Sequence, residues 1–333
     1  MAGPGECMRV LVIGGQGVLG SFIVRRFRAA GWVATRGGRR PEAADDFRLV
    51  DLDRPETVSE ACREADLVVS TVRHPALVAE RAVLAAGGVL LNLDDLPAAG
   101  RARLERDGPP PQGLVVDRAG LYGVGGLAAA ELFAEHPEAD TLEYGFMMSA
   151  KEIAGRAGGI FAHRSLSGGG RLETVTVDLP EPFGRRRCLG SARGAAELVG
   201  PLARGRNVRL YLCFLPAAFN GLFLTLNVLR LAARLPLAVF TTGRGKLPAE
   251  LSRQPTCHWT AVWRAGKRLA GRIVMGSGDY RSSVEATLVF AEALFASKGT
   301  QPHRRGVFGV DELLTLREIL PALEKNGIRT LAL

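Results

Sequence analysis

Three glycines near the start of the chain have the spacing of a phosphate-binding turn. Gly15, Gly17 and Gly20 form a Gly-x-Gly-x-x-Gly pattern directly after the apolar run Met8–Ile13. In this pattern the first glycine permits a tight turn, the second lets the backbone approach a pyrophosphate, and the third lets the next helix pack closely on the strand. The helix N-terminus then offers N–H groups and a positive dipole end to the phosphates. The expected dinucleotide contacts come from the whole turn: Gly14, Gly15, Gln16, Gly17, Val18 and Leu19.

The residues after the second predicted strand indicate which dinucleotide binds. An NAD site usually has Asp or Glu about 20 residues past the turn, where the carboxylate binds the ribose hydroxyls. Here Gly37 takes that place, and Gly38, Arg39 and Arg40 follow it. A guanidinium binds a 2′-phosphate through paired charge-assisted hydrogen bonds, whereas a carboxylate would repel it. We therefore expect NADP as the cofactor; the alternative is that both arginines are ordinary loop residues.

Further cofactor contacts are expected where later strands end, because ligands of open parallel sheets bind beyond the carboxyl ends of the strands. Asp51 ends the third predicted strand and is expected near the adenine. Ser70, Thr71 and Val72 follow the fourth, and we expect them near the pyrophosphate and the nicotinamide ribose.

Hydride transfer to C=N or C=O is helped by a proton donor, and four side chains are candidates. Tyr122 is the first choice, because it follows the sixth predicted strand; the alternative is an aromatic side chain packed on the next helix. Lys151 follows a predicted strand of the second domain, and a solvated loop lysine is the alternative there. His163 and His74 complete the set.

Polar side chains after the fifth predicted strand are also site candidates. Asn92, Asp94 and Asp95 follow that strand, and one of them is expected to contact the nicotinamide or a substrate amine. Two adjacent acids are equally explained as caps of the next helix. Arg164 is a weaker candidate for binding a substrate carboxylate.

Apolar runs and helical segments alternate through the first 120 residues, which is typical of a doubly wound parallel sheet. From Thr141 onward the pattern is strand-like alternation without regular helices. The predicted fold class is α/β, with an N-terminal Rossmann doubly wound parallel sheet and a second α+β domain on a mostly antiparallel sheet. The predicted strands of the first domain are Trp32–Arg36, Asp46–Val50, Asp66–Thr71, Val89–Leu93 and Leu114–Val116, with helices at Glu56–Glu64, Ala76–Ala86 and Pro97–Arg106. Those of the second are Leu142–Met147, Leu172–Leu179, Val208–Phe214 and a hairpin of Thr256–Arg264 with Arg268–Met275, with helices at Ala217–Arg234 and Arg281–Ala296.

One uncharged segment, Leu210–Leu229, has the length of a membrane span. Pro216, Asn220 and Asn227 interrupt it, which favours a short strand followed by an apolar helix. We expect that helix to lie in the core or at a dimer interface. A surface facing lipid or a long-chain substrate stays open as an alternative, and a true span is disfavoured.

Composition excludes several classes of protein. The 333 residues are 47% hydrophobic and 23% charged, as in a globular protein. The net charge of +9 comes from arginines spread along the chain, and runs such as Arg185–Arg187 are interpreted as solvated loops, so no nucleic-acid partner is predicted. The five cysteines form no Cys-x-x-Cys pair, and no metal site or hydrolase nucleophile motif is present. The first residues lack the pattern of a signal peptide, so a cytoplasmic location is expected.

The chain resembles the saccharopine dehydrogenase-like oxidoreductases. The resemblance rests on the glycine turn and on five further segments: Gly38-Arg39, Ala65–Ser70, Ala119–Gly123, Gly276–Tyr280 and Gly306–Glu312. It implies an N-terminal Rossmann domain (residues 1–122), a substrate and dimerisation domain with a mixed sheet (123–305) and a C-terminal helical segment that returns to the first domain (306–333). It also implies an NAD(P)-dependent homodimer with a small-molecule substrate.

The resemblance implies reduction of an imine of an amino-acid-like intermediate as the first choice of reaction. Family members commonly carry a Pro-Gly pair where this chain has Gly123-Val124-Gly125-Gly126, so its substrate is expected to differ. Two alternatives stay open: reduction of an activated C=C or ketone on a hydrophobic intermediate, and a cofactor-binding sensor without turnover.

Overall fold

A computed structural model describes residues 7–149, 155–166, 172–191, 199–231, 234–241, 254–296 and 304–333. The chain divides into two units, one of residues 1–123 and 283–326, the other of residues 124–282 and 327–333. The sequence predicts domain boundaries after residues 122 and 305, and the function assigned to each domain stays a prediction.

Strands and helices are numbered in chain order. The strands are β1 (Arg9–Ile13), β2 (Val33–Gly38), β3 (Phe47–Leu49), β4 (Leu67–Ser70), β5 (Val89–Asn92), β6 (Leu114–Asp117), β7 (Thr141–Ser149), β8 (Thr174–Asp178), β9 (Arg185–Gly190), β10 (Asn207–Leu215), β11 (Pro255–Arg264), β12 (Lys267–Ser277), β13 (Gly306–Gly309) and β14 (Arg329–Ala332). The helices are α1 (Val18–Ala29), α2 (Pro55–Arg63), α3 (Val78–Ala86), α4 (Ala98–Arg106), α5 (Leu121–Glu135), α6 (Gly155–Leu166), α7 (Ala217–Val228), α8 (Leu237–Thr241), α9 (Asp279–Phe295) and α10 (Leu316–Lys325).

The first unit contains a seven-stranded sheet in the order β13-β6-β5-β4-β1-β2-β3. Each of its pairings is parallel. Parallel strands are covered by helices on both faces, which explains their continuous apolar sequences and the burial of every residue of β4, β5 and β6. The order reverses between β1 and β4, and ligands of doubly wound sheets bind beyond the strand ends at this switch point. The predicted fold class is confirmed for this unit.

The second unit contains a seven-stranded mixed sheet in the order β14-β12-β11-β7-β10-β9-β8. Only β7 and β10 run parallel, from Thr141 opposite Asn207 to Ser149 opposite Leu215; the other pairings are antiparallel. The predicted hairpin is β11–β12. Ala265 and Gly266 both have positive φ, which is the two-residue turn that matches the strand twist.

Two sequence-based predictions of local structure are wrong. Arg185–Arg187 form the start of β9 instead of a solvated loop, because each of them pairs with a residue of β8 and the strand leads into buried Cys188. The helix predicted for Ala217–Arg234 ends at Val228, and Arg230 lies in the left-handed region with φ 58°. Phe219 and Leu222 of this helix are exposed, so it is not buried in the core of this chain, and its expected place at a dimer interface stays a prediction.

Two asparagines fix α7 to the second sheet. The Asn220 Oδ1 atom accepts from the Phe214 backbone N–H at 3.1 Å, and its Nδ2 donates to the Arg187 carbonyl oxygen at 2.7 Å. Its amide thus joins β10 to β9 where the ladder between them ends. Two turns further along the same side of the helix, the Asn227 side chain bonds both the N–H and the carbonyl of Leu172, at 2.7 and 2.9 Å. No helix in the described parts of the chain is long and apolar enough to cross a membrane.

Replacing Asn220 with alanine should destabilise the protein. The variant leaves the Phe214 N–H and the Arg187 carbonyl without their buried partner, which costs about 1–3 kcal/mol. Urea unfolding followed by circular dichroism measures this, with Thr225→Ala on the exposed side of α7 as the control. Equal stability of the two variants would show that the amide bridge contributes nothing.

Candidate cofactor-binding site

The glycine turn lies at the carboxyl end of β1 and is tied to β2 by backbone hydrogen bonds. The N–H groups of Gly14 and Gly15 both donate to the Gly37 carbonyl oxygen at 3.0 Å. The sequence pattern assigns the tight turn to Gly15. The residue of the turn in the left-handed region is instead Gly14, with φ 82°. Gly15 is needed for another reason: a Cβ there would be 2.9 Å from the Arg36 Cα atom.

Helix α1 begins at this turn with open N–H groups. Gly17 is its N-cap residue and supplies no side-chain hydrogen bond, and the first turn, which begins with Val18 and Leu19, has no acidic residue. A Cβ on Gly20 would overlap the Gly14 carbonyl, so the helix approaches the turn as closely as the pattern predicts. A Cβ on Gly17 would meet only the Gly14 oxygen within 4 Å, so the outer face of the turn is open. These features fit a pyrophosphate, whose charge would face the N–H groups of the first helical turn.

Gln16 connects the turn to the loop that follows β2. Its Nε2 donates to the Arg40 carbonyl oxygen at 2.9 Å and to the Glu42 Oε1 atom at 2.6 Å. The side-chain carbonyl of Gln16 lies over Gly38, where any Cβ would overlap it. Arg39 and Arg40 follow directly and are exposed. The loop thus brings both predicted arginines to the edge of the sheet where the glycine turn lies.

A charge network behind this loop was not found by sequence reasoning. The Arg36 guanidinium forms ion pairs with Glu42 and Asp46, each at 2.8 Å, and Arg28 reaches Asp46 at 2.6 Å. Hydrogen bonds from Arg36 and then Arg28 lower the pKa of Asp46 to about 2. The sequence pattern predicted a strand that includes Arg36, but it did not indicate that Arg36 pairs with Glu42 and Asp46. Because Arg36 neutralises Glu42, this carboxylate is not a free negative charge at the loop.

Residues after β4 lie against the glycine turn. The N–H and the hydroxyl of Thr71 both donate to the Ile13 carbonyl oxygen at 3.1 Å. A Cβ on Gly14 would overlap the Thr71 hydroxyl, so these two residues are in close approach. Ser70 donates to the Val72 carbonyl at 2.9 Å, and the Val72 side chain is exposed. The structure therefore brings together the turn and the residues predicted to line the pyrophosphate.

Asp51 forms a local turn after β3. Its N–H donates to the Thr57 hydroxyl at 3.0 Å, and its Oδ1 accepts from the Asp53 N–H at 3.2 Å. One carboxylate oxygen is thus used within the loop.

The polar residues after β5 form a charged network with an arginine from the β4 loop. Buried Asn92 donates to Glu80 at 3.3 Å and accepts from the Asp94 N–H at 3.3 Å. Arg73 pairs with Asp94 at 3.1 Å and with Asp95 at 3.0 Å. Burial, and then a hydrogen bond with Asp95, raise the pKa of Asp94 to about 6. Sequence reasoning named the two acids and missed Arg73. The positive charge of Arg73 offsets the repulsion between the two neighbouring carboxylates.

A second buried charge cluster follows β6. Asp117 accepts from the Leu96 N–H at 2.8 Å, and Arg118, with φ 59°, pairs with Asp311 at 2.9 Å. Burial raises the pKa of Asp117 to about 7, against the opposing effect of Arg118. Burial likewise raises the pKa of Asp311. The carboxyl end of β6 therefore holds one carboxyl group, Asp117, whose pKa lies near neutral pH.

Two catalytic candidates lie in the first unit. Tyr122 is the second residue of α5, five residues after β6 ends, and is half-buried. The His74 Nε2 atom lies 3.3 Å from Asp53 Oδ1, and its Nδ1 accepts from the Ala76 N–H at 3.3 Å. Both ring nitrogens of His74 thus have partners, one on the loop after β3 and one within the loop that holds His74 itself.

The other two catalytic candidates belong to the second part of the chain. The His163 Nε2 atom lies 3.1 Å from the Leu235 carbonyl oxygen, and its ring packs edge-on against Phe240 at 5.5 Å. This contact explains His163 as a residue that holds α6 against α8. Arg164 is exposed, and Lys151 lies outside the described residues.

Solved structures similar to this chain give the fold. Saccharopine dehydrogenase (L-Glu forming) from Saccharomyces cerevisiae aligns with a TM-score of 0.60 at 12% identity, over 98% of this chain and 100% of that chain. The chain has a saccharopine dehydrogenase-like fold. A meso-DAPDH variant from Clostridium tetani, solved with DAP, aligns at 0.46 and 10% identity over 94% of this chain and 96% of that one. Dihydrodipicolinate reductase from Paenisporosarcina, solved with dipicolinate, aligns at 0.41 and 11% identity over 93% and 100%.

No protein-family model matches the sequence, and no curated protein does. At the identities of the structural matches the likeness establishes the saccharopine dehydrogenase-like fold alone. The reaction must be argued from the residues of this chain.

The raised pKa of Asp117 should make stability depend on pH. Between about pH 4 and pH 7 the folded chain keeps a proton on Asp117 that the unfolded chain has lost, so the free energy of unfolding falls as pH rises. Relative to Asp117→Asn, the native chain should lose up to about 1 kcal/mol per pH unit in this window. Urea unfolding of both proteins across the window measures the difference. The control is Asp45→Asn, at an exposed carboxylate, which should follow the native curve; a constant offset for Asp117→Asn would refute the prediction.

Proposed function

We propose that this chain is an NADP(H)-dependent oxidoreductase that transfers a hydride between the dinucleotide and a small molecule. One observation carries the proposal: the glycine turn and the uncapped N-terminus of α1 lie at the switch point of a parallel sheet. There the N–H groups of α1 would hold the pyrophosphate, and the dinucleotide, when bound, supplies or accepts the hydride. The exposed loop after β2 would hold the adenosine end.

Charge at the β2 loop supports NADP as the preferred form. Arg39 and Arg40 are exposed at the end of the strand, and no acidic residue ends it. The nearest carboxylate, Glu42, is paired with Arg36 and hydrogen-bonded to Gln16, so its charge is balanced. A 2′-phosphate would therefore meet net positive charge at this loop.

An imine is the first choice of substrate, because the family that the sequence resembles contains amino-acid imine reductases. Tyr122 is the proposed proton donor: its hydroxyl would give a proton to the nitrogen as the hydride adds to carbon. Its position at the start of α5, after the carboxyl end of β6, supports this role. His163 is less suited, since its Nε2 atom already has the Leu235 carbonyl as a partner.

Two further parts of the proposal rest on the resemblance, and a third rests on the first residues of the sequence and on the spread of its arginines. The second domain, residues 123–305, would bind the substrate and form a homodimer. The segment 306–333 would return to the first domain. The protein would act in the cytoplasm on a small molecule, without nucleic acid.

Substitution of Arg39 or Arg40 with alanine should weaken NADPH binding and leave NADH binding unchanged. Loss of one charge-assisted contact to the 2′-phosphate corresponds to about a tenfold to hundredfold rise in the Kd for NADPH. Fluorescence titration of both dinucleotides measures the effect. Arg317→Ala, at an exposed arginine of α10, is the control and should bind both as before. Equal affinities for NADPH and NADH that neither substitution changes would remove the basis for NADP.

Tyr122→Phe should slow hydride transfer without weakening cofactor binding. Loss of a general acid typically costs about 10²–10⁴-fold in rate. Stopped-flow absorbance of NADPH, tested against imines, enones and ketones, measures turnover and also identifies the acceptor. Tyr144→Phe removes a hydroxyl that bonds His258 in the second unit and serves as the control. An unchanged rate in Tyr122→Phe would exclude this tyrosine, and silence of the native protein with every acceptor would favour a sensor.

A further inference from the structure

Helix α7 buries two asparagines and exposes several large apolar side chains. Asn220, Phe223 and Asn227 are buried, and the two asparagines bond the backbone of the second sheet and the segment before it. Phe219, Leu222 and Val228 are 44%, 51% and 53% exposed, and Leu229 after the helix is 59% exposed. This reverses the usual arrangement of a helix on a globular protein, whose apolar stripe faces the core.

Further exposed apolar side chains follow on and before the next helix. Phe223 of α7 and Phe240 of α8 are buried and stack on each other, with ring centroids 6.1 Å apart and an interplanar angle of 18°. Leu231, between the two helices, and Val239 of α8 are exposed. We define the apolar face as Phe219, Leu222, Val228, Leu229, Leu231 and Val239. Scattered apolar residues on a surface are ordinary, but six that are exposed within residues 219–239, on two helices that pack on each other, indicate an interaction site.

The sequence that contains the apolar face is rich in basic residues. From Leu198 to Ala249 the sequence has seven basic residues and no acidic one. Exposed Arg230 and Arg234 lie within the face's own segment, and the backbone of Arg187 bonds Asn220 of α7. On α6, which α8 contacts through His163, Arg164 is exposed.

Among the described residues, one acidic side chain follows a residue that is bonded to α7. Glu173 is exposed and follows Leu172, whose backbone bonds Asn227 on the buried side of α7. The balance at the face remains positive.

The positive charge near the apolar face favours one kind of binding partner over another. A symmetric dimer would bury the same patch of each copy, and so would place four arginines, Arg230 and Arg234 of each copy, in one interface. An anionic bilayer instead accepts apolar side chains at the boundary of the acyl chains and arginines among its headgroups. Helix α7 has 12 residues, so it is about 18 Å long and too short to cross a hydrocarbon core of about 30 Å.

We propose that the apolar face docks the protein on the surface of an anionic lipid bilayer, with α7 lying in the plane of the interface. Phe219, Leu222 and Leu229 enter the boundary of the acyl chains, and Arg230 and Arg234 bind the headgroups. The proposal is independent of hydride transfer, because it concerns residues with no role in the cofactor site.

Vesicle sedimentation of the full chain tests the proposal, with phosphatidylcholine vesicles and with vesicles of phosphatidylcholine and phosphatidylglycerol. We expect binding to the mixed vesicles and little to phosphatidylcholine alone. Leu222→Ser should lower the partition constant about tenfold, since one buried leucine is lost from the contact. Arg234→Gln should lower it about fivefold, as expected for one basic residue near an anionic surface.

Matched variants distinguish binding through the apolar face from the loss of any exposed leucine or arginine. Leu331→Ser removes a leucine that is 46% exposed on β14, and Arg317→Gln removes an exposed charge of the first unit; both should partition as the native chain does. Thermal unfolding should be the same for Leu222→Ser and the native chain, because Leu222 lies on the solvent side.

Two outcomes would overturn the proposal. One is the absence of binding to the mixed vesicles. The other is a dimer in sedimentation velocity that Leu222→Ser dissociates, since a second copy of the chain would then cover the face.

Discussion

The close approach of backbones at the end of β1 is the constraint on which the cofactor site depends. Gly14 and Gly15 share one acceptor on β2, Gly20 brings α1 against Gly14, and the Thr71 hydroxyl lies where a Gly14 side chain would be. Three elements thus meet with no room for a Cβ atom. The same absence of side chains leaves the N–H groups of α1 open, so the packing constraint and the phosphate site are one feature of the sequence.

The fold of the first unit was predictable because parallel strands have a clear pattern in the amino-acid sequence. Their burial on both faces gives continuous apolar runs, as in Leu67–Ser70, and glycines mark the turn where the pattern of the strand changes to that of the helix. The partners of charged residues were not predictable. Arg73 and Asp95, or Arg118 and Asp311, meet only because the sheet brings distant loops together. No local pattern reports such a pair, and so the arginine partners of these acids became visible only in the structure.

Hydropathy gave only part of the structure at α7, and for a physical reason. The uncharged segment was correctly divided into a strand and a helix, but the core position that was one of the two expected for the helix is not found, because Phe219 and Leu222 are exposed in this chain. A side-chain amide can satisfy an N–H and a carbonyl at once, so Asn220 and Asn227 stabilise a contact with backbone groups that leucine could not make. Composition favours a surface position for asparagine and a core position for leucine, and here Asn220 is buried and Leu222 is exposed. β9 was missed for a different reason, because its three arginines suggested a loop.

The C-terminal part of the chain supplies an edge strand to each sheet. β13 lies at the margin of the parallel sheet beside β6, and β14 at the margin of the mixed sheet beside β12. Helix α9 and helix α10 also contribute residues to the first unit, where Glu285 pairs with Arg26 at 2.8 Å. β6 and β12 therefore keep one side unpaired until β13 and β14, far along the chain from both, have been made. A chain truncated before β13 would leave the N–H and carbonyl groups on that side of β6 and β12 without their strand partners, and such unpaired strands are templates for pairing with another chain.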